Sequence, residues 1–248
     1  MKYYAILVGG NPGVFSKQSN WTKEILGYKN TKFRKFNSEI DALQYVAKGG
    51  KIENVFVDGS CRGHNNTHRI PSAGFGIYYG PDDNRNRAEP LESGTKPTTP
   101  QRAEFMAIIH ALRNAHRALL DGTARSPVRI LSDSPDCVHT YYKWGDKWKT
   151  NGWKKSKGGT IRNVDLIQEM LNLKEQINIH YASKGWSNID VAHVKSHSGN
   201  LANNEAHRVA NLGANQAEAR IRSKCHVSSL VVTIGNRTDK SGEPFIPS

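Results

Sequence analysis

Val55-Phe56-Val57-Asp58-Gly59-Ser60-Cys61 is the stretch that decides how this chain is read. Three strand-type residues run into a carboxylate and then into small residues, which predicts a short strand ending at Asp58. The shape returns at Val128–Leu131, a second short strand leading to Asp133. Between them lie a strand over Ala73–Tyr79 with small residues interleaved, a polar loop from Pro81 to Pro100, and a helix over Gln101–Leu120. That helix carries apolar residues at 105, 108, 109 and 112, the spacing of one helical face. Further on, the pattern predicts a helix over Val164–Ile177, a strand over Ile189–Val194 and a final helix over Asn203–Asn215. Strands alternating with helices give an α/β domain over residues 54–217. The tail, 218–248, shows one strand-like run, Val227–Ile234, and nothing with assignable chemistry.

Residues 1–47 read as a separate small α/β block, joined by a short linker at 48–53. A strand over Tyr3–Val8 meets the turn-rich Gly9-Gly10-Asn11-Pro12-Gly13. Thr22–Leu26 is a helical stretch, and Phe33-Arg34-Lys35-Phe36 alternates as a half-exposed strand does. Asn37 or Ser38 caps a helix that runs to Ala47, because either side chain accepts from the free N–H groups of a first turn.

The chain has 248 residues, with 35 Lys+Arg against 22 Asp+Glu and a net charge of +13. Such an excess on a folded chain points to a polyanion: nucleic acid, an anionic membrane or an acidic protein. No apolar run approaches the ~18 residues of a membrane span, and no leader is read ahead of the first strand. Cys61, Cys137 and Cys225 lack metal-ligand spacing and are odd in number, so free thiols in a reducing compartment are expected. Positive charge is densest over 143–162, where Trp144, Trp148 and Trp153 stand among seven Lys/Arg and one acid, Asp146.

Three carboxylates carry the chemistry. Asp58 and Asp133 each close a strand, and Glu104 is placed in the first turn of a helix. Any one of them has a plain alternative: Asp after a strand is a turn former, and Glu in a first turn suits the helix dipole. Gathered at one end of a sheet, they repel unless cations bridge them, and two divalent ions ~4 Å apart are the usual remedy in phosphoryl chemistry.

The ordered motifs Val57-Asp58-Gly59-Ser60-Cys61, Gln101-Arg102-Ala103-Glu104, Ser132-Asp133-Ser134, Asn151-Gly152-Trp153, Arg162-Asn163-Val164-Asp165-Leu166 and His197-Ser198-Gly199…Asn203-Asn204-Glu205-Ala206 resemble those of a type-1 ribonuclease H. The match spans about residues 53–217. The first block is similar to that family's N-terminal hybrid-binding domain through Tyr4-Ala5, Pro12-Gly13-Val14-Phe15, Trp21, Gly27-Tyr28 and Lys32-Phe33-Arg34-Lys35-Phe36. The resemblance implies a mixed five-stranded sheet flanked by helices. It also implies an endonuclease that cuts the RNA strand of RNA–DNA hybrids, leaving 5′-phosphate and 3′-hydroxyl ends. Asp58 would then bridge two Mg²⁺ or Mn²⁺ ions. Glu104 and Asp133 would hold the one at the leaving oxygen, and a fourth carboxylate would share with Asp58 the one that activates water. This chain has His207 at the fourth position. The loss of one negative charge and the preference of imidazole for Mn²⁺ over hard Mg²⁺ predict a Mn²⁺-favouring enzyme. His197 would assist proton movement or product release, as an imidazole titrating near ~6.5 can.

Carried over in the same way, Gly59, Cys61, His64 or, after a one-residue shift, Asn65, and Gln101 would read RNA 2′-hydroxyls. Thr99 and Asn163 would hold a DNA phosphate, with Lys96 standing in for an arginine that Pro97 replaces. Trp148 or Trp153 of the basic protrusion would meet the DNA strand. In the first block, Trp21, Phe33, Arg34 and Lys35 would bind hybrid. The expected partner is an RNA–DNA hybrid, with double-stranded RNA as a further ligand of the first block. The chain is expected to work as a monomer without a membrane, inside the cell, in nucleus or cytoplasm with the mitochondrion left open. The alternative is a catalytically weakened binder of hybrid or double-stranded RNA, which His207 alone supports. A basic protein-interaction module would leave the ordered motifs unexplained.

Overall fold

The structure, a computed structural model, describes residues 2–8, 13–16, 22, 31–47, 52–63, 70–92, 96–156, 158–196 and 200–235. Trp21, His64, Asn65 and His197 lie outside the described residues, as do most of the helical stretch expected at Thr22–Leu26 and most of the 48–53 link.

In the first block, β1 (Tyr3–Val8) is flanked by β2 (Gly13–Phe15) and β3 (Lys32–Phe36), both antiparallel to it. Helix α1 (Glu39–Ala47) closes one face. It starts where expected, since Ser38 Oγ accepts from Asp41 N at 3.4 Å. Ala5, Phe36 and Ala42 form the small core, with Tyr3, Val14, Tyr45 and Val46 packed round it. β3 is half exposed as expected, but apolar and basic residues do not divide between its faces: Phe33 is 44% exposed on the side of Lys35, while Arg34 shares the inner side with the buried Phe36.

The larger unit is a five-stranded mixed sheet in the order β6-β5-β4-β7-β8. Its strands are β4 (Glu53–Arg62), β5 (Ser72–Tyr78), β6 (Arg87–Pro90), β7 (Val128–Ser132) and β8 (Asp190–His193). β4 pairs antiparallel with β5 and parallel with β7. A parallel pair needs a crossover, and α2 (Pro100–Leu120) supplies it. Thr99 caps α2 by accepting from Arg102 N at 3.2 Å, and Pro100 opens it where a missing N–H costs nothing. Phe105, Ile108, Ile109 and Leu112 are buried against Val55, Val57 and Ile130 of the sheet and Ile167 and Met170 of α5 (Val164–Ser183). Each such side chain contributes roughly 1.5–3 kcal/mol by leaving water.

The opposite face is covered by α6 (Leu201–Gly235). It can lie directly on β5 because Gly76 has no side chain: a Cβ there would stand 2.5 Å from Ala206 O and Ala210 N.

Several expectations need correction. β4 does not end at Asp58 but runs on to Arg62, held by pairing with β5 as far as Arg62↔Ser72. Glu53, placed in the linker, is already in β4. The loop from Pro81 to Pro100 contains β6, whose Arg-Ala-Glu-Pro sequence has no strand period and whose backbone pairing with β5 makes it one. The run Val227–Ile234 is helical, and α6 passes the expected 217/218 boundary without a break. The stretch after Asp133 forms α3 (Pro135–His139), a single π turn at Thr140–Trp144 and α4 (Gly145–Thr150). Among the described residues no helix is long and apolar enough to cross a membrane. Cys61 and Cys137 are free thiols.

Candidate active site

The sheet's register puts two aspartates side by side. The last paired row between β4 and β7 is Val57↔Ser132. One residue further on, β7 turns away at Asp133 while β4 continues beside β5 alone. Asp58 and Asp133 therefore flank the gap where parallel neighbours part, the kind of crevice in which open α/β sheets place ligands. Glu104 joins them from α2. It is the fifth helical residue, past the first turn in which the sequence reading put it, so the dipole does not explain it. Close approach does. A Cβ on Gly59 would stand 2.4 Å from Glu104 N and 2.6 Å from Ala103 C, so the helix carrying Glu104 touches β4 at a residue without a side chain.

Asp58, Glu104 and Asp133 each offer a ligand atom within 4.8 Å of the others. Asp58 is 3% exposed. Burial, then the charge of Asp133, pushes its carboxyl above the ordinary range, against the contrary pull of His207. Burial and the charges of Asp58 and Asp133 push Glu104 well above its usual value. Glu104 Oε2 is buried with no hydrogen-bond partner among the described residues. Among the described residues, no Lys or Arg lines the pocket of about 400 Å³ formed by these carboxylates with Gly59, Ser134, Ser196, Asn203, Asn204 and His207. Hard oxygen ligands, crowded negative charge and an unsatisfied buried oxygen fit divalent cations of the Mg²⁺ or Mn²⁺ kind.

The supporting contacts are specific. Asp58 Oδ1 accepts from Gly59 N at 2.9 Å, and Oδ2 lies 2.7 Å from His207 Nδ1. His207 thus touches one of the three carboxylates. Asp133 Oδ2 accepts from Ser196 Oγ at 3.0 Å and Asn203 Nδ2 at 3.4 Å. Asn203 is 3% exposed and its Oδ1 has no partner among the described residues. Ser196 and Asn203 were given no function from sequence. The available signal was four-residue spacing on α6. Asn203 meets Asp133 and His207 meets Asp58. Asn211 meets Ser60 at 2.9 Å and Arg62 at 2.7 Å, and Asn215 meets Arg62.

The expected substrate-reading residues fall into separate places. Thr99, Gln101 and Asn163 do come together, with Lys96, Arg102 and Asp165, round a cavity of about 730 Å³. Asn163, in the left-handed region at φ 58°, donates to Gln101 Oε1 at 3.1 Å and accepts from Arg102 at 3.3 Å. Thr99 also serves as the α2 cap. Burial pushes the Asp165 carboxyl up, but Arg102 and Lys96, each at 3.0 Å, outweigh it and hold it at about 2. Gly59 and Cys61 follow Asp58 on β4, and Cys61 packs against the small cluster of Ala73, Leu91 and Ala103. Trp148 and Trp153 both pack on the main core and keep partly exposed edges. Trp144, 37% exposed, packs on Trp148 with ring centroids 5.9 Å apart and planes tilted by 39°.

Known proteins line up with both units. The family model for RNase H matches residues 50–215, and that for the ribonuclease H1 N-terminal domain matches residues 2–46. The chain is 32% identical to human ribonuclease H1 over 181 residues, which is 72% of this chain and 54% of that one. It is also 32% identical to ribonuclease HI of Haemophilus ducreyi over 165 residues, 66% of this chain and 92% of the relative. The matched region thus spans about half the length of the human, rat and mouse relatives. Among solved structures, LC9-RNase H1, described as a type 1 RNase H with the type 2 active-site motif, is similar at a TM-score of 0.47 and 24% identity, over 67% of this chain and 73% of that one. With a family model matching residues 50–215 of the larger unit and a second matching the first block, the chain belongs to the type-1 ribonuclease H family and carries that family's N-terminal domain.

Proposed function

We propose that this chain hydrolyses the RNA strand of RNA–DNA hybrids, leaving 5′-phosphate and 3′-hydroxyl ends. The observation that carries the reading is the convergence of three carboxylates within 4.8 Å of one another, in a protein whose net charge is +13. Asp58, Glu104 and Asp133 would hold the divalent ions, with His207 beside Asp58. Two ions bound there would supply an activated water and neutralise charge on the leaving oxygen. The chain's own part is to fix the ligands: the Gly59 N–H and His207 orient Asp58, and Ser196 and Asn203 orient Asp133. Gly59, Cys61, Asn65 and Gln101 would read the RNA strand. Thr99 and Asn163, with Lys96, would take a DNA phosphate, and Trp148 or Trp153 a deoxyribose.

His207 removes one negative charge from the ligand set and offers imidazole, which suits Mn²⁺ better than Mg²⁺. The reading is therefore of a Mn²⁺-favouring enzyme that works as a monomer inside the cell. Its N-terminal block would bind hybrid and double-stranded RNA through Trp21, Phe33, Arg34 and Lys35. The test is cleavage of an end-labelled hybrid in Mg²⁺ and in Mn²⁺ by the chain and by His207→Asp. The expected result is strong cleavage by the parent only in Mn²⁺ and a large gain in Mg²⁺ for the variant. Tight hybrid binding without cleavage by either protein in either metal would replace the nuclease by a binding clamp.

A further inference from the structure

Arg34 stands among the residues expected to hold nucleic acid, yet its guanidinium is engaged inside the protein. Arg34 Nη2 donates to Asp190 Oδ2 at 2.7 Å, bridging β3 of the first block to β8 at the sheet edge. The two side chains are only 22% and 23% exposed, so the pair is less screened than a surface ion pair. Arg34 also lies over the Phe36 and Tyr45 rings, at 5.2 and 6.0 Å from their centroids. Asp190 has two further partners: Arg129 Nε at 2.7 Å on Oδ2 and Tyr142 OH at 2.5 Å on Oδ1. Tyr142 in turn accepts from Val191 N at 3.2 Å, so the outer edge of β8, the strand and the π turn meet at this one carboxylate.

Two guanidinium groups share a single negative charge. That arrangement decides what an incoming anion would do. If Arg34 left for a phosphate, Asp190 would keep Arg129 and Tyr142 and stay fully paired, while Arg34 would gain a charge-assisted partner of its own. The first block cannot travel far when it lets go. Asn54, Arg129 and Asp190 lie in one row across β4, β7 and β8. With strands ~4.8 Å apart, Asp190 is about 10 Å from the start of β4. Only five residues separate Ala47, the end of α1, from Glu53, a reach of about 20 Å when extended. So short a tether keeps the effective concentration of Arg34 at Asp190 high.

We propose that Asp190 is an internal stand-in for a nucleic-acid phosphate: it clasps Arg34 in the free protein, and the phosphate backbone of a bound hybrid displaces it. The inference rests on the hybrid-binding reading above. It adds that the N-terminal block has a docked and a released state, and that hybrid selects the released one.

The test is equilibrium binding of an RNA–DNA hybrid long enough to span both units, in EDTA so that nothing is cut, over a series of salt concentrations. Asp190→Asn should bind several-fold more tightly than the parent. The slope of log affinity against log salt should steepen by about one unit, as one more freely made phosphate contact requires. Arg34→Gln in the Asp190→Asn background should abolish the gain, a non-additivity that marks direct coupling. Arg34→Gln alone, which leaves the larger unit untouched, should widen the distance distribution in solution X-ray scattering. That arm also covers a failure of Asp190→Asn to fold. Cleavage of a hybrid too short to reach the first block should be unchanged in Asp190→Asn. Parent-like affinity and salt slope in Asp190→Asn would overturn the clasp while leaving the nuclease reading intact. A loss of affinity would mean that the docked arrangement is itself the hybrid-binding one, which also overturns it. If the parent neither binds nor cuts hybrid, the function reading fails and the clasp falls with it.

Discussion

Two carboxylate sites at the ends of α2's first turns face opposite electrostatic problems. At Asp165, one carboxylate meets two cations, Lys96 and Arg102, and is held ionised down to about pH 2. At Asp58 and Glu104, three carboxylates meet no Lys or Arg among the described residues, and burial with mutual repulsion raises both groups. The same functional group is thus used as glue in one place and left unsatisfied in the other. A protein with 35 basic residues has no shortage of cations. Leaving the second site without one is informative, because the deficit matches what divalent ions supply.

The contrast breaks most visibly at Asp58. Asp58→Asn should lower hybrid cleavage by roughly 10³-fold or more, since a ligand to the divalent ions would be worth several kcal/mol of transition-state stabilisation at 1.36 kcal/mol per decade. The same change should raise the melting temperature in EDTA, because one of the repelling charges is gone. Loss of activity together with loss of stability would show that the cluster is not under repulsion. Gly59→Ala comes next. Its Cβ has no room beside Glu104 N, and forcing the helix off the strand should cost about 2 kcal/mol in denaturant unfolding and displace Glu104 enough to reduce turnover sharply.

The pH dependence of stability should run in opposite directions at the two sites. Asp58 and Glu104 have raised folded-state values, so what their neutral forms contribute is present below their unfolded range of about 4 and is lost as pH rises through the raised values. Metal-free protein should therefore melt progressively lower toward neutral pH, and Mn²⁺ should recover more stability at pH 7 than at pH 5. Asp165 is depressed, so its contribution is present above its unfolded value and lost as pH falls toward about 2. A scanning-calorimetry series with and without Mn²⁺ separates the two, and a metal shift independent of pH would count against the repulsion account. The smallest effect is expected for Asp165→Asn, about 1 kcal/mol of destabilisation in denaturant unfolding, because Lys96 is half exposed while Arg102 loses its principal partner.

How much of this was legible depends on where the information sits. β4, α2, β7 and α5 were readable because their apolar residues keep the period of one buried face. β6 was not, since Arg87-Ala88-Glu89-Pro90 carries no alternation and is a strand only through its hydrogen bonds to β5. The tail misled for the reverse reason. Val-Val-Thr-Ile is locally strand-like, but it continues a helix already propagating from Leu201, and extending a formed helix avoids the cost of nucleation. The three carboxylates were legible from motifs. Their holders were not: nothing local to Ser196 or Asn203 announces Asp133, more than sixty residues away. Arg34 shows the limit differently. Its residue type suited an anion correctly, but only the fold reveals that one anion is already in hand.

The contacts between α6 and β4 repeat every four residues on the helix and every two on the strand: His207 with Asp58, Asn211 with Ser60, Asn215 with Arg62. Four helical residues advance about 6.0 Å and two strand residues about 6.6 Å, so the two rulers stay in step over three rungs. A substitution alters one rung, but a single deleted or inserted residue between Asn203 and Asn215 would rotate the rest of the helix by about 100° and break the later rungs together. Along this segment the count of residues therefore governs several contacts at once, while the chemistry of any one position governs its own rung.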